Sequence, residues 1–321
     1  MAKFKPKSKP QITTDALRAD QADLMTGRVV QTHGRHHLVL GEDGVLVEAH
    51  RRGKKGDVVC GDLVKITPAV SGVAAIEAIL PRESLLYRSD EFRIKALAAN
   101  IDLVCIVFAS RPSFNEWFIW KALLAAQQAG IEALVIRNKT DLTDNAEAAQ
   151  RATQTLEKLG VPVINVSAQA EPQATRQALI ERLQGRASLF VGQSGMGKSS
   201  LLNLLVPEAQ ARTREFSEAL DLGKQTTTSA TWYNARYDDW QGSVVDTPGF
   251  QEFGLAHLSL NDILRAMPDI AQHVSGCRFF NCRHLAEPNC GVKAAVERGE
   301  IDPERYAFYC AIAPHADALA Q

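Results

Sequence analysis

The sequence predicts three unlike units in tandem: an amino-terminal OB-type β-barrel, a central doubly wound α/β domain, and a carboxy-terminal, mostly helical metal-binding domain. Three observations predict them. Between residues 24 and 84, short β-branched runs are punctuated by glycines. From residue 99, continuous apolar runs alternate with amphipathic segments. After residue 255, three cysteines and a histidine fall close together. The expected boundaries are a basic disordered arm over 1–23, the barrel over 24–84, the α/β domain over 85–255 and the metal-binding domain over 256–321.

The chain has 321 residues, 45% of them hydrophobic, an ordinary share for globular proteins. No apolar run approaches the roughly 20 residues that span a bilayer, so a cytoplasmic chain without membrane contact is expected. The first ten residues carry four lysines and two prolines and no apolar stretch. That is not a secretory signal. It reads as a disordered cationic arm, either a solvated tail or one that touches phosphates. The net charge of -1 means that any RNA contact must come from local patches.

In the barrel, Arg28-Val29-Val30, His37-Leu38-Val39-Leu40, the run from Gly44 to Ala49, the run from Asp62 to Ile66 and the run from Gly72 to Ile76 are the candidate strands. Gly34, Gly41, Gly53, Gly56 and Gly72 supply the turns. Barrels of this size bind oligonucleotides or serve as plain protein-contact modules. His50-Arg51-Arg52-Gly53-Lys54-Lys55 is then a basic loop or an ordinary exposed turn.

The central unit is read as a strand over 101–109, a helix over 116–130, a strand over 132–137, a helix over 144–159 closed by Gly160, a strand over 161–166, a helix over 173–184 and a strand over 188–191. Near-continuous apolar strands between amphipathic helices imply a mainly parallel sheet. Ligands then lie at the carboxyl ends of the strands, where Asn138, Ser167 and Gly192 fall.

Gly192, Gln193, Ser194, Gly195, Met196, Gly197, Lys198 and Ser199 match GxxxxGK[ST] at a strand-to-helix junction, with Ser200 next in the helix. Such glycines let backbone N–H groups turn inward around phosphate oxygens. Lys198 adds charge at the β- and γ-phosphates, the Ser199 hydroxyl ligates Mg²⁺, and the helix adds its positive end. Asn138-Lys139-Thr140-Asp141 reads NKxD. Asp141 accepts from guanine N1–H and the N2 amine, a donor pair that adenine lacks. A site built on that acceptor penalises the ligand that leaves it unpaired. Asn138 reaches guanine N7 and braces the phosphate loop, the stem of Lys139 covers the base, and Ser167-Ala168 sets a backbone N–H near O6. NKxD by itself also fits a surface turn; here it shares a domain with the phosphate loop. Asp246-Thr247-Pro248-Gly249 reads DxxG, with Asp246 holding Mg²⁺ through water and the Gly249 amide meeting the γ-phosphate. These motifs predict a P-loop GTPase domain binding GTP and GDP. In an ordinary GTPase the guanine motifs come last. Here both precede the phosphate loop, so the domain is circularly permuted.

Between the phosphate loop and DxxG, Gly223-Lys224-Gln225-Thr226-Thr227-Thr228 fits a first switch. Its threonine joins the Mg²⁺ shell only with the γ-phosphate present; Thr227 is the first choice and Thr226 the second. A Thr-rich strand start is the plainer alternative. Phe250 stands where many GTPases carry a water-orienting glutamine, and an apolar side chain cannot orient water. Gln225 is the nearest suitable group and Gln251 the next. With Thr227 and Lys198, Gln225 completes the candidate catalytic set, and slow intrinsic hydrolysis with partner stimulation is expected.

Cys277, Cys282, His284 and Cys290 supply three thiolates and one imidazole. This set suits tetrahedral Zn²⁺ with no open position, hence a structural ion, contributing roughly 10 to 16 kcal/mol to folding. Buried unliganded thiols are the alternative. Cys60 and Cys105 read as core residues, and Cys310 as a spare thiol or packing residue. Arg278 and Arg283, interleaved with Phe279 and Phe280, face RNA or are ordinary surface and core neighbours.

Taken together, the barrel, Asn138 to Asp141, Gly192 to Ser199, Asp246 to Phe250 and the run from Cys277 through Cys290 to Arg305-Tyr306 resemble the RsgA (YjeQ-type) family of circularly permuted GTPases. The resemblance covers nearly the whole chain after the arm. It implies an OB domain, a G domain and a zinc domain, a monomer acting in late assembly of the small ribosomal subunit, contact with its rRNA, GTP hydrolysis stimulated by the subunit, and release afterwards. The family's first switch typically reads Gly-Arg-His-Thr-Thr; here Gln225 replaces the histidine. The other readings are an RNA- or ribosome-binding module with structural guanine nucleotide and incidental turnover, and a metal-delivery GTPase, against which the ligand-saturated Cys₃His set speaks. The second switch, 246–253, lies shortly before Cys277, so switch motion is expected to reach the metal-binding unit directly.

Overall fold

A computed structural model describes residues 24–51, 57–89, 94–207, 230–237, 239–248, 250, 253–255 and 258–316. The arm, Arg52 to Gly56, Gln225, Thr226, Thr227, Gly249 and Gln251 lie outside the described residues.

Five strands form the barrel: β1 (Met25–His33), β2 (His36–Gly41), β3 (Leu46–Arg51), β4 (Leu63–Ile66) and β5 (Val73–Ile79). Their order is β1-β2-β3-β5-β4, and β4 pairs back onto β1, which closes the barrel. Only β3 and β5 are parallel. Alternation puts Val29, Val39, Ala49, Val64, Ala74 and Ile76 inside. All five candidate strands are present.

The barrel is fastened to the rest of the chain at several points. A register shift in β1 between Val29 and Gln31 bends the strand. Gln31 then pairs with Thr231 of the central sheet. Arg28 lies over the Trp232 ring at 4.4 Å and donates to the Gly61 carbonyl at 3.0 Å. Gly61 has φ +92, and a Cβ there would lie 2.1 Å from the Ala99 carbonyl oxygen, so this approach needs glycine.

A hairpin that the sequence reading did not foresee follows, β6 (Leu85–Ser89) with β7 (Ile94–Ala99). The central sheet then comprises β8 (Leu103–Ala109), β9 (Glu132–Asn138), β10 (Val163–Asn165), β11 (Ala187–Val191), β12 (Thr231–Tyr237) and β13 (Trp240–Asp246). Its order is β10-β9-β8-β11-β13-β12, parallel except for the β12–β13 pair. Helices α1 (Glu116–Gln128), α2 (Ala146–Lys158), α3 (Pro172–Leu183) and α4 (Lys198–Leu205) connect these strands. The chain runs outward from β8 to β10. It then returns through α3 to β11 on the other side of β8, and continues away from it. The order therefore reverses between β8 and β11, which puts the ligand crevice outside their carboxyl ends.

The carboxy-terminal unit contains α5 (Leu260–Arg265), α6 (Pro268–Ala271), α7 (Gly291–Glu297) and α8 (Pro303–Ile312). Its core is not its own alone. Trp120 and Leu124 of α1 are buried in it with Ile263, Met267, Phe308 and Tyr309, while Ile119 and Ala122 of the same helix pack on the sheet. Helix α1 is buried on two sides and joins two cores. No described helix is long and apolar enough to cross a membrane.

Candidate functional site

The loop 192–197 leaves the end of β11, and α4 starts at Lys198 with Gly197 as its cap at φ +93. A Cβ on Gly197 would lie 2.2 Å from Asn138 Nδ2. Close packing therefore explains the glycine at the helix mouth. Lys198 Nζ folds back into the loop and donates to the Gly192 carbonyl and, at 3.3 Å, to that of Gln193. Burial holds its pKa below the ordinary lysine value, and Asp246 works against that shift. Burial raises the Asp246 carboxyl, opposed by Lys198 and by the Thr247 backbone N–H. The phosphate-loop lysine and the carboxylate of DxxG thus interact in a poorly solvated place, where a divalent cation and phosphate oxygens find strong electrostatic complements.

Asn138 ends β9 and is buried. Its Nδ2 donates to the Met196 carbonyl at 3.1 Å, and its Oδ1 accepts from Ala168 N at 3.1 Å. One side chain thereby ties the phosphate loop to the Ser167-Ala168 loop. Lys139 adopts φ +60, a left-handed backbone that costs a non-glycine residue roughly 1–3 kcal/mol. Its Nζ donates to the Gly195 carbonyl at 2.7 Å and to that of Arg111 at 3.1 Å, which lays its aliphatic stem across the mouth of the crevice. Ser167 Oγ donates to Asp141 Oδ1, and the Asp141 residue is exposed. All the guanine and phosphate motifs that are described converge on one edge of the sheet despite their order in the chain. Asp246 closes the same edge at the end of β13. Ser194 and Ser199 are exposed, and Ser200 is half-buried within α4.

The stretch after β8 was not singled out from the sequence, yet it braces the phosphate loop. Gln193 Oε1 accepts from Asn115 N at 2.8 Å. Asn115 in turn caps α1, accepting from Trp117 N. Pro112 sits against Gly195, where a Cβ would meet it at 3.0 Å. The signal was the strand end at a switch point. Phe250 packs its ring against Phe118 of α1 and Phe253, with centroids at 6.3 and 4.6 Å. Phe253 bridges Arg88 of β6, and Gly254 N donates to the Tyr87 carbonyl at 3.1 Å.

A second cluster lies in the carboxy-terminal unit. The ligand atoms of Cys277, Cys282, His284 and Cys290 fall within 4.8 Å of one another. Cys277 Sγ and Cys290 Sγ are 3.8 Å apart, and His284 Nδ1 is 3.4 and 3.6 Å from them. A disulfide needs ~2.05 Å. Tetrahedral coordination with bonds of ~2.3 Å to sulfur and ~2.0 Å to nitrogen puts neighbouring ligand atoms about 3.5–3.8 Å apart, so the set fits a tetrahedral ion. Burial pushes the Cys282 thiol up to about 12, so a bound cation is what would stabilise its thiolate. The frame is firm. Tyr306 and Tyr309 of α8 donate to the His284 and Arg283 carbonyls at 2.8 Å each. The Glu287 carboxylate accepts from Arg283 N and Leu285 N at 3.0 Å each. Cys60 and Cys105 are buried core residues, as their isolation predicts, and Cys310 packs partly against the carboxy-terminal core.

A family model described as RsgA GTPase matches residues 79–256. Over 296 residues the chain is 49% identical to the small ribosomal subunit biogenesis GTPase RsgA of Bordetella pertussis, covering 92% of this chain and 97% of that one. Over 309 residues it is 43% identical to the protein of the same name from Paraburkholderia xenovorans, covering 95% and 98%. Among solved structures, YjeQ from Thermotoga maritima is similar at TM-score 0.65 and 30% identity, covering 93% of this chain and 99% of that one. YloQ, a circularly permuted GTPase, is similar in fold at TM-score 0.63 and 24% identity, covering 92% and 96%.

Proposed function

This chain belongs to the RsgA family of GTPases, and from that membership we propose that it binds the maturing small ribosomal subunit in its GTP form, hydrolyses GTP there to GDP and phosphate, and leaves. The observation that carries the reading is the side chain of Asn138, which joins the phosphate loop at Met196 to the guanine-side loop at Ala168. A single side chain holding both loops makes one nucleotide site out of motifs in permuted order.

Within that site, the roles follow from donor chemistry. Asp141 reads guanine N1–H and N2, Ser167 orients the Asp141 carboxylate, and the Ala168 region meets O6. Gly192 to Ser200 cradle the phosphates, with Lys198 on their charge. Ser199 and Asp246 would hold Mg²⁺, joined by Thr227, and the ion would supply positive charge at the phosphates. Phe250 is apolar and engaged with Phe118 and Phe253, so it is an anchor and not a water-orienting group. That role falls to Gln225, with Gln251 second. Cys277, Cys282, His284 and Cys290 would hold one structural Zn²⁺. The protein acts as a cytoplasmic monomer, with a barrel over 24–84, a G domain over 85–255 and a zinc domain over 256–321. The rRNA contacts fall to the barrel and the zinc domain.

The test is GTP hydrolysis by the zinc-loaded protein with and without small subunits, with large subunits as control. Stimulation by small subunits alone is the expected result. Equal rates in all three conditions would overturn the reading and favour a binding module.

A further inference from the structure

Three histidines form a cross-strand row on the barrel. His33 of β1 is opposite His36 of β2, and His36 is opposite His50 of β3. Glu48 lies two residues before His50, on the same side of β3. Its Oε1 is 2.8 Å from His36 Nδ1 and 2.8 Å from His50 Nε2. The two rings meet edge to face with centroids 4.5 Å apart. All three ligand atoms lie within 4.8 Å of one another. None of these residues belongs to the nucleotide site or to the Cys₃His cluster.

We propose that His36, Glu48 and His50 form a second metal site, on the barrel surface, for a divalent transition ion such as Zn²⁺, Ni²⁺, Co²⁺ or Cu²⁺. Two imidazoles and one carboxylate suit these ions, whereas Mg²⁺ and Ca²⁺ prefer oxygen shells. The three donor atoms already converge. Around an ion with bonds of ~2.1 Å, adjacent ligand atoms stand about 3.0–3.4 Å apart, so the hydrogen-bonded separations need only a small outward adjustment. The nitrogens that face Glu48 change from N–H donors to lone-pair donors by a tautomer shift, and no proton is lost from a neutral ring. The frame is preorganised: β2 and β3 pair at five registers, and β3 is held on its other side by β5. The His36 and His50 side chains are 49% and 43% exposed, which leaves the remaining coordination positions to water. A bound divalent ion would add positive charge to this face of the barrel.

The experiment is titration of the full-length, zinc-loaded chain with NiCl₂, followed by calorimetry and by histidine ring NMR. One further equivalent of Ni²⁺ is expected, with paramagnetic broadening of the His36 and His50 ring signals and no competition from millimolar Mg²⁺. The His36→Ala, His50→Ala double variant raises the dissociation constant at least tenfold. Glu48→Gln weakens binding while keeping the barrel's size and packing, and His315→Ala, at an exposed histidine of the carboxy-terminal unit, leaves it unchanged. The proposal fails if no further equivalent binds, if other histidines broaden instead, or if the double variant and Glu48→Gln bind Ni²⁺ as the parent does.

Discussion

Asn138 Nδ2 lies 3.1 Å from the Met196 carbonyl, across a gap that the chain takes the whole of α2, β10, α3 and β11 to cover. The other end of the same amide accepts from Ala168 N. Asn138→Ala removes both bonds and strands two backbone groups, each worth about 1–3 kcal/mol if left buried and unpaired. GTP affinity is expected to fall at least tenfold, with a lower urea midpoint. Asn138→Asp is the sharper probe. Its carboxylate still accepts from Ala168 N but turns an oxygen toward the Met196 carbonyl in a buried place, so stability and affinity are both expected to fall. Fluorescent-nucleotide titration beside urea denaturation checks this; parent-like values in both variants would deny Asn138 its bracing role at the phosphate loop.

Gly197 is the companion case. An alanine methyl would fall on Asn138 Nδ2 at 2.2 Å in a backbone of φ +93. The left-handed strain alone costs roughly 1–3 kcal/mol, and Asn138 must move to make room. Gly197→Ala is expected to lose GTP binding while the barrel and the carboxy-terminal unit stay folded. Nucleotide titration with circular dichroism reads both.

How much of this was legible in the sequence depends on the range of the interaction. The five barrel strands were legible because Val29, Val39, Val64 and Ile76 fall in short β-branched runs, and glycines mark the turns. The hairpin of β6 and β7 was not, because the sequence between them, Asp90 to Arg93, carries no two-residue turn signal. The motifs announced Asn138 and Asp141, since their chemistry is local. The bond between Asn115 and Gln193 was hidden, because neither residue type declares a partner 78 positions away. Helix α1 shows the same limit. Its apolar residues are plain to read, yet periodicity does not say that Ile119 packs on the sheet and Trp120 on Phe308.

The shared core around Trp120 makes metal removal a test of more than one unit. The Cys₃His cluster sits on a frame held by Tyr306 and Tyr309, whose helix packs Phe308 against Trp117 and Trp120 at 5.8 and 5.4 Å. Stripping the ion with a strong chelator is expected to unfold the carboxy-terminal unit and to lower the midpoint of the central domain as well. Tryptophan fluorescence should shift to the red in the same step. An unchanged tryptophan signal on full metal loss would separate the two cores.

Phe250→Gln would restore the glutamine that many GTPases carry after DxxG, yet it is not expected to speed hydrolysis. The Phe250 ring is held between Phe118 and Phe253, and losing that packing loosens the second switch. Gln225→Ala, by contrast, should reduce subunit-stimulated turnover by about 10²-fold, the lower range for an assisting proton-transfer group, with GTP affinity kept. Single-turnover hydrolysis on small subunits distinguishes the two. A fast Phe250→Gln enzyme would return the catalytic role to that position.

The residues after DxxG have two exits. Phe253 and Gly254 bond to Arg88 and Tyr87 of β6, toward the barrel. Four residues past Gly254, Leu258 is buried in the carboxy-terminal core. A flexible insert directly after Gly254 leaves the first route intact and cuts the second. If hydrolysis drives release by moving the carboxy-terminal unit, this variant binds nucleotide and small subunits normally and hydrolyses GTP on them. It then dissociates at least tenfold more slowly, since a switch moves an element only through a differential contact with it. Sedimentation of the complex after a single turnover measures the fraction still bound. Release at the parent rate would rule out the carboxy-terminal route and leave the β6 hairpin as the path by which the switch reaches the rest of the chain.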